Sequence, residues 1–174
     1  GQGSQSMGML DKIDNEYINH FRPKVDSALD LDLIEIIKHG PIEKLNRSSI
    51  TQPAILLTSY LLYKDLLSKI NIEPDIICGH SLGEYTALVV GNSIDLEEAL
   101  KLVHKRGLLM EECNEGSMYA ILNCDLLTIS KFCDEVSNKT KKIVSPANIN
   151  SPNQIVIAGN IDAVEEVVML LKNH

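Results

Sequence analysis

The segment Gly79-His80-Ser81-Leu82-Gly83 constrains the fold most, because of what stands on either side of it. An apolar run, Ile76-Ile77-Cys78, precedes it, and a helical pattern from Glu84 to Val90 follows it. A strand, a G-x-S-x-G turn and a helix are the context of a nucleophile elbow, which exposes a serine hydroxyl at the end of a strand. The sequence predicts Ser81 as a nucleophile. Side chains two residues before and after it should collide with the backbone, which explains the glycines there.

Composition limits the class of protein. The 174 residues suggest one domain, or one and a small second one, and 44% hydrophobic residues suffice for a packed core. A net charge of −8 without a dense basic block argues against partners such as nucleic acid or an anionic membrane. We find no apolar run of the roughly 18 residues that a membrane span requires and no signal peptide. We therefore expect a soluble protein of a reducing, cytoplasmic compartment.

The cysteines lack the CxxC spacing of many metal sites, and we expect them to be buried, reduced thiols. They are Cys78, Cys113, Cys124 and Cys133. The sequence accordingly predicts no bound metal. It also predicts no cofactor, since the opening glycines do not form G-x-G-x-x-G, the next glycine being Gly8.

Hydrophobic periodicity predicts mainly helices in the first two thirds of the chain. A long helix should begin at Pro53, in the first-turn position that proline favours, and run to about Ile70. Its apolar residues cover more than one face, which predicts extensive burial against a sheet. The other predicted elements are a loop at 1–9, short helices within 11–39, a break at Gly40-Pro41, a strand at 75–78 and a helix from Asp95 towards Gly116.

The pattern changes after residue 116, where we place the boundary between a core (1–116) and a small subdomain (117–174). The predicted elements there are strand 118–123, helix 126–137, strands 142–149 and 154–158 with a turn around 150–153, and helix 161–172. This β-α-β-β-α order lacks one strand of a ferredoxin-like split βαβ unit. The sequence therefore predicts an α/β fold with a ferredoxin-like subdomain lacking its last strand.

A nucleophilic serine also requires a base, an oxyanion hole and a substrate clamp. The N–H of Leu82 is the usual first oxyanion donor, and the glycine-rich segment Gly1-Gln2-Gly3 is the upstream candidate for a second. No histidine is a convincing base. His80 should point away from Ser81, and the others look solvated or terminal: His20, His39, His104 and His174.

Arg106 lies beside the apolar stripe of the helix that follows Asp95. It fits either a solvated helical charge or a bidentate clamp for a carboxylate. The residues alone leave both roles open.

Five motifs, in this order, resemble those of malonyl-CoA:acyl carrier protein transacylases, over essentially the whole chain. They are Gly1-Gln2-Gly3-Ser4-Gln5; Thr51-Gln52-Pro53-Ala54; Gly79-His80-Ser81-Leu82-Gly83-Glu84-Tyr85; Arg106-Gly107 with Met110; and Asn148-Ile149-Asn150-Ser151-Pro152 with Ile155-Val156-Ile157-Ala158-Gly159. Five motifs in one order are far more specific than any of them alone. The segment Gly116-Ser117-Met118-Tyr119 departs from the family in being shorter.

The resemblance implies a partial α/β-hydrolase-like core beside the ferredoxin-like subdomain. It implies Ser81 as the nucleophile, the N–H groups of Gln2 and Leu82 as the oxyanion hole, and Arg106 as the partner of the malonyl carboxylate. It also implies that His80, Met110 and Asn150 line the substrate site. The family's first strand and its catalytic histidine fall outside the positions that match, so the chain resembles a fragment.

The activity implied is transfer of malonate from malonyl-CoA to the phosphopantetheine thiol of acyl carrier protein, in fatty acid biosynthesis. We expect a monomer in the cytoplasm, or in an organelle that houses bacterial-type fatty acid synthesis. Three further functions stay open: an acyltransferase domain of a polyketide-type synthase, a serine thioesterase or hydrolase, and a non-catalytic fragment that binds carrier protein or CoA. Lys139, Lys141 and Lys142 are a candidate docking patch for an acidic carrier protein, or simply a solvated turn.

Overall fold

The computed structural model describes residues 1–113 and 116–172, and it divides into two compact units, Gly1–Glu112 and Cys113–His174. The first contains α1 (Asn15–Ala28), α2 (Leu33–His39), α3 (Ile42–Leu45), α4 (Ser48–Lys69), α5 (Leu82–Val90) and α6 (Leu96–Glu112). The second contains β1 (Gly116–Leu122), α7 (Leu126–Thr140), β2 (Val144–Ser151), β3 (Gln154–Asn160) and α8 (Ile161–Lys172). The protein therefore belongs to the mixed α/β class, as the sequence predicts.

The core of the first unit forms around α4, whose apolar side chains point in every direction. Leu56, Leu57 and Leu61 are fully buried, and Leu100 of α6 and Leu33 of α2 pack in the same cluster. A helix without a polar face is stable only when it is surrounded by other elements. The predicted burial is confirmed for the first part of α4 but is wrong for the last part, where Leu62 is 44% and Leu66 is 50% exposed. The elements around α4 are helices, and the described part of this unit contains no strand.

The predicted start of α4 at Pro53 is wrong, because the helix begins five residues earlier at Ser48. Pro53 lies inside α4 and not in its first turn. Proline cannot donate a backbone hydrogen bond, so the carbonyl four residues before it, that of Ser49, needs another donor. A histidine of α6, His104, lies 2.7 Å from that carbonyl oxygen through its Nδ1.

The predicted strand at 75–78 is also wrong, because residues 71–80 contain neither strand nor helix. Ile76 is 85% exposed and Ile77 is 38% exposed. A strand is defined by hydrogen bonds to a neighbouring strand, and no described residue of the first unit provides one. The apolar run is therefore extended and unpaired here.

The second unit has the predicted β-α-β-β-α order. Its three strands form an antiparallel sheet in the order β1-β3-β2, with Met118 opposite Ala158 and Ser145 opposite the same Ala158. A tight turn at Pro152-Asn153 joins β2 to β3, as predicted. The side chains that pack α7 and α8 against the sheet include Ile129, Val136, Ile155, Ile157 and Val167, which are at most 1% exposed.

The predicted state of the cysteines is confirmed only in part. All four are free thiols, but Cys78 and Cys113 are exposed and Cys124 is half-buried. Only Cys133 is buried, and burial raises the pKa of its thiol to about 11. Across the described residues no cluster of three or more His, Cys, Asp or Glu side chains could hold a metal ion, and none of the helices there has the length and apolarity of a membrane span.

Candidate active site

Ser81 has the strained backbone of a nucleophile at a sharp turn. Its φ is 52° and its ψ is −110°, outside the regions that L-residues favour, and the residue directly precedes α5. Such strain persists only where the surroundings enforce it, and it is concentrated at active sites. Ser81 is half-buried, so its hydroxyl is held in place and remains accessible.

The turn depends on the absence of a side chain at position 79. A Cβ on Gly79 would lie 2.0 Å from the carbonyl carbon of Gly83, closer than any real contact. The same argument fails for Gly83, because a Cβ there would meet no atom within 4 Å. The prediction that both glycines avoid collisions is thus correct for Gly79 and wrong for Gly83. The backbone crowds on one side of the turn only.

Backbone hydrogen bonds and one carboxylate hold the turn closed. The Gly83 N–H donates to the His80 carbonyl at 2.9 Å, and the Ser81 N–H donates to the Glu84 carboxylate at 3.1 Å. Because Glu84 is in the first turn of α5, its negative charge also lies where the helix dipole favours it. The direction of the Ser81 backbone is therefore fixed in part by α5 itself.

Arg106 of α6 contacts the nucleophile. Its Nη2 donates to Ser81 Oγ at 3.1 Å, its Nη1 donates to Gln52 Oε1 at 2.7 Å, and its guanidinium lies 5.6 Å from the centre of the Tyr85 ring. A solvated helical charge would not have three such neighbours. Of the two roles that the sequence leaves open for Arg106, the geometry favours a positioned cation beside the serine.

Gln52 is the site residue that sequence reasoning missed. It is fully buried on α4, and its Nε2 donates to Met110 Sδ at 3.1 Å while its Oε1 accepts from Arg106. A buried carboxamide must have partners for both of its ends, so Gln52 fixes the orientation of the guanidinium. The available signal was a carboxamide directly before the apolar run at 53–57 of α4.

The two helices that carry these side chains approach closely at Gly107. A Cβ there would lie 2.5 Å from both the Ser48 carbonyl oxygen and the Ser49 Cα. His104, one turn earlier on α6, is not solvated as predicted: it is half-buried, and its Nδ1 lies 2.7 Å from the Ser49 carbonyl oxygen. The reason is Pro53, which leaves that carbonyl without a helical donor.

Both predicted oxyanion donors belong to the first unit, one in α5 and the other in the opening loop. Leu82 is the first residue of α5, so its N–H has no acceptor within the helix. Gln2 belongs to the opening loop, and its side chain donates to Ser48 Oγ at 2.8 Å. The adjacent Gly1 lines a cavity of about 630 Å³ together with Gly79 and His80.

The remaining predicted site residues belong to both units. His80 and Met110 belong to the first unit and are exposed, Met110 by 42%. Asn150 belongs to the second unit, near the end of β2, where its Nδ2 donates to Gln154 Oε1 at 2.9 Å. Two other predictions concern histidines: His20 and His39 are exposed as predicted, and His174 lies outside the described residues.

Comparison with known proteins assigns the family. The model of the acyl transferase domain matches residues 1–174. The chain belongs to the acyl transferase domain family. It is 41% identical to a malonyl CoA-acyl carrier protein transacylase of Haemophilus influenzae, over 99% of this chain and 56% of that protein. This acyl transferase domain thus spans a little over half the length of that relative.

Solved structures agree with this assignment. The malonyl CoA-acyl carrier protein transacylase of Coxiella burnetii superimposes with a TM-score of 0.85 at 36% identity, over 99% of this chain and 56% of that one. A malonyl-transacylase solved in complex with a type II polyketide-synthase acyl-carrier protein gives a TM-score of 0.84 at 39% identity, over 99% of this chain and 57% of that one. The acyl transferase domain therefore shares its fold with these malonyl-transacylases along nearly its whole length.

Proposed function

We propose that this acyl transferase domain transfers malonate from malonyl-CoA to the phosphopantetheine thiol of acyl carrier protein, in fatty acid biosynthesis. The similarity to named malonyl transacylases supports the reaction class. The observation that carries the choice of substrate is the 3.1 Å contact between Arg106 Nη2 and Ser81 Oγ. It puts a fixed positive charge beside the atom that would bear the acyl group.

The proposed reaction has two half-reactions that share Ser81. In the first, Ser81 Oγ attacks the thioester carbon, a C–O bond forms, the C–S bond breaks, and CoA leaves as its thiol with the serine proton. In the second, the sulfur of the carrier-protein thiol attacks the malonyl-serine ester, a C–S bond forms, the C–O bond breaks, and Ser81 Oγ takes up the proton that the thiol loses. Two tetrahedral states therefore require stabilisation.

Arg106 selects the acyl group in this proposal. A malonyl group esterified to Ser81 ends in a carboxylate that a guanidinium can hold through two parallel hydrogen bonds. A neutral acyl group would leave the guanidinium without its anion, which penalises acetyl or fatty acyl substrates. Gln52 keeps the guanidinium in place before the substrate arrives, because it already accepts from Nη1 at 2.7 Å.

The N–H groups of Gln2 and Leu82 form the proposed oxyanion hole, and a donor of this kind typically contributes about 3 kcal/mol. His80, Met110 and Asn150 are proposed to contact the substrate. The resemblance assigns the general base to a histidine outside residues 1–174.

The finer details of the fold belong to the same proposal. The first unit would be part of an α/β-hydrolase-like core, and the second would be ferredoxin-like with a further strand beside β1, whose other edge pairs with β3. We propose a monomer that acts in the cytoplasm or in an organelle with bacterial-type fatty acid synthesis, with no cofactor beyond its CoA thioester substrate.

The test is substitution of Arg106, the residue proposed to select the acyl group. Arg106→Ala should lower the ratio of kcat/KM for malonyl-CoA over acetyl-CoA at least about tenfold, because a charged hydrogen-bonded pair is lost for one substrate only. Arg22→Ala is the matched control, since Arg22 pairs with Asp32 on the surface. An unchanged ratio in Arg106→Ala would refute the proposed clamp.

One observation favours a second candidate, an acyltransferase of a polyketide-type synthase. A malonyl-transacylase that is 39% identical to this chain was solved with a type II polyketide-synthase acyl-carrier protein. Rates of transfer to carrier proteins of the two pathways, at equal concentration, would separate these candidates. The chemistry at Ser81 would be the same in both.

A further inference from the structure

Ser49 of α4 is fixed through both of its backbone polar groups. Its N–H donates to Glu111 Oε1 at 2.7 Å, and its carbonyl oxygen lies 2.7 Å from His104 Nδ1. Both partners belong to α6, and Ser49 is only 1% exposed. The start of α4 is thus attached to α6 on either side of one buried residue.

The His104 contact replaces a hydrogen bond that α4 cannot make. Within a regular helix the Ser49 carbonyl would accept from the N–H of residue 53, but residue 53 is proline. A carbonyl can only accept, so His104 Nδ1 must carry the proton and donate. The sequence therefore couples Pro53 on one helix to His104 on the other.

The contact between Gln52 and Arg106 joins the same two helices, α4 and α6. Gln52 lies one turn after Ser49 on α4, and Arg106 lies between His104 and Gly107 on α6. The 2.7 Å bond from Arg106 Nη1 to Gln52 Oε1 spans the two helices. Any rotation or shift of α4 against α6 would therefore move the carboxamide away from the guanidinium.

We infer that His104 is a positioning residue for acyl-group selection, acting through the Ser49 carbonyl and Gln52 on Arg106. This inference rests on the proposed malonyl transfer. The role of His104 is to fix the helix whose carboxamide orients the guanidinium, without itself binding the acyl group. Losing its donor should affect malonyl-CoA more than acetyl-CoA, because only malonyl-CoA uses the oriented cation.

The experiment compares two substitutions at His104. His104→Leu removes the donor and should lower the malonyl-over-acetyl ratio of kcat/KM about tenfold, mainly through KM for malonyl-CoA. His104→Asn places an amide N–H where Nδ1 stands and should keep the ratio within about twofold of the wild type. The same substitutions at the exposed His20 are the matched control and should leave the ratio unchanged.

A second variant tests the link to Pro53. Pro53→Ala restores an N–H to residue 53, so the Ser49 carbonyl regains a donor within α4. The double variant Pro53→Ala/His104→Leu should therefore recover most of the selectivity that His104→Leu loses. It should also recover unfolding free energy lost in His104→Leu, which urea titration measures even where activity is weak.

Each outcome either supports the positioning role or overturns it. A uniform loss for both substrates in His104→Leu, or no rescue by Pro53→Ala, would overturn it. If His104→Leu does not fold, the inference is judged on His104→Asn and on the double variant, and a lost ratio in both overturns it. If Arg106→Ala also leaves the ratio unchanged, the proposed function itself has failed; if only His104→Leu leaves it unchanged, the inference alone has failed.

Discussion

At the scale of single residues, the site depends on the strained backbone of Ser81 and on Gly79, two residues before it. Ser81 keeps a φ of 52° because Glu84 binds its N–H and because Gly79 leaves room for the Gly83 backbone. The strain aims the hydroxyl towards Arg106, which contacts it at 3.1 Å. The two glycines of the motif therefore have unequal roles.

We predict that Gly79→Ala lowers the unfolding free energy by at least about 3 kcal/mol and abolishes acyl transfer, because its Cβ cannot fit against Gly83. Gly83→Ala should leave stability unchanged or raise it by up to about 1 kcal/mol, since alanine favours the helix more than glycine does. Urea unfolding of both variants measures this difference. Equal destabilisation by the two substitutions would contradict the asymmetry.

At this site, the sequence predicted local motifs but not the contacts between residues far apart along the chain. The G-x-S-x-G pattern indicated the sharp turn at Ser81, because the motif is local and its spacing reports its own backbone. The residues alone left the role of Arg106 open. The contacts of Gln52 and His104 join positions more than fifty residues apart along the chain. No periodicity of a single helix contains that information.

At the scale of elements, the crossing of α4 and α6 organises the first unit. Gly107 allows the backbones to touch at Ser48, and Glu111 accepts from the Ser49 N–H at 2.7 Å and from Arg47 Nη2 at 3.0 Å. A carboxylate at a helix N-terminus satisfies a donor that has no helical acceptor. The last turn of α6 therefore caps the first turn of α4.

This cap should make stability depend on pH. Burial by itself raises the pKa of the Glu111 carboxyl, but hydrogen bonds from Ser49 and Arg47 outweigh it and hold the pKa below the ordinary value of 4.5. A pKa lowered by folding adds stability above the unfolded-state pKa, and that stability is lost as the pH falls through the folded-state pKa.

We therefore predict that Glu111→Gln lowers the unfolding free energy by about 1 kcal/mol near neutral pH, as loss of a charged cap does. The difference from the wild type should be constant above about pH 6 and shrink below about pH 4.5. Urea titrations over this range measure it. Glu112→Gln, at the neighbouring exposed position, is the control, and a pH-independent difference for Glu111→Gln would contradict the argument.

Helices and strands were predictable where apolar residues recur at a regular spacing. The predictions failed where an element depends on contacts with residues elsewhere in the chain. The second unit followed its pattern closely: α8 was expected at 161–172 and is Ile161–Lys172. The segment 75–78 has strand-like residues but no described neighbour to pair with. The start of α4 was misplaced because His104 lets Pro53 lie inside a helix.

At the scale of the whole molecule, the proposed site residues divide between the two units. The proposed nucleophile, oxyanion donors and selecting arginine belong to Gly1–Glu112, whereas Asn150 belongs to Cys113–His174. The candidate basic patch of the second unit is largely neutralised, since Lys139 pairs with Glu166 at 2.6 Å and Lys142 pairs with Asp162. These pairs favour a solvated turn over carrier-protein docking.

We predict that the 174-residue chain, mixed with labelled malonyl-CoA, forms a malonyl adduct on Ser81 slowly, since the proposed base lies outside these residues. Oxyanion donors and binding alone still give about 10³-fold catalysis over water. Mass spectrometry measures the adduct, and Ser81→Ala is the control that should show none. A fast, stoichiometric adduct would contradict the proposed location of the base.

The same experiment separates malonyl transfer from hydrolysis and from binding without catalysis. Free malonate released without carrier protein, faster than transfer in its presence, would indicate a hydrolase. Binding of malonyl-CoA with no adduct at any time would indicate a non-catalytic binding fragment. Transfer to the carrier thiol from the preformed adduct would support the proposed reaction.

The amino-acid order by itself determined the elements of the second unit, the sharp turn at Ser81 and the family, because each is encoded in short, contiguous patterns. Only the tertiary structure decided that Arg106 reaches Ser81 and that Gln52 orients the guanidinium. It also decided that His104 hydrogen-bonds to the Ser49 carbonyl, which Pro53 leaves without a helical donor. These contacts depend on how two helices cross, and a crossing is set by the shape of both surfaces at once. The local sequence of either helix cannot specify it alone.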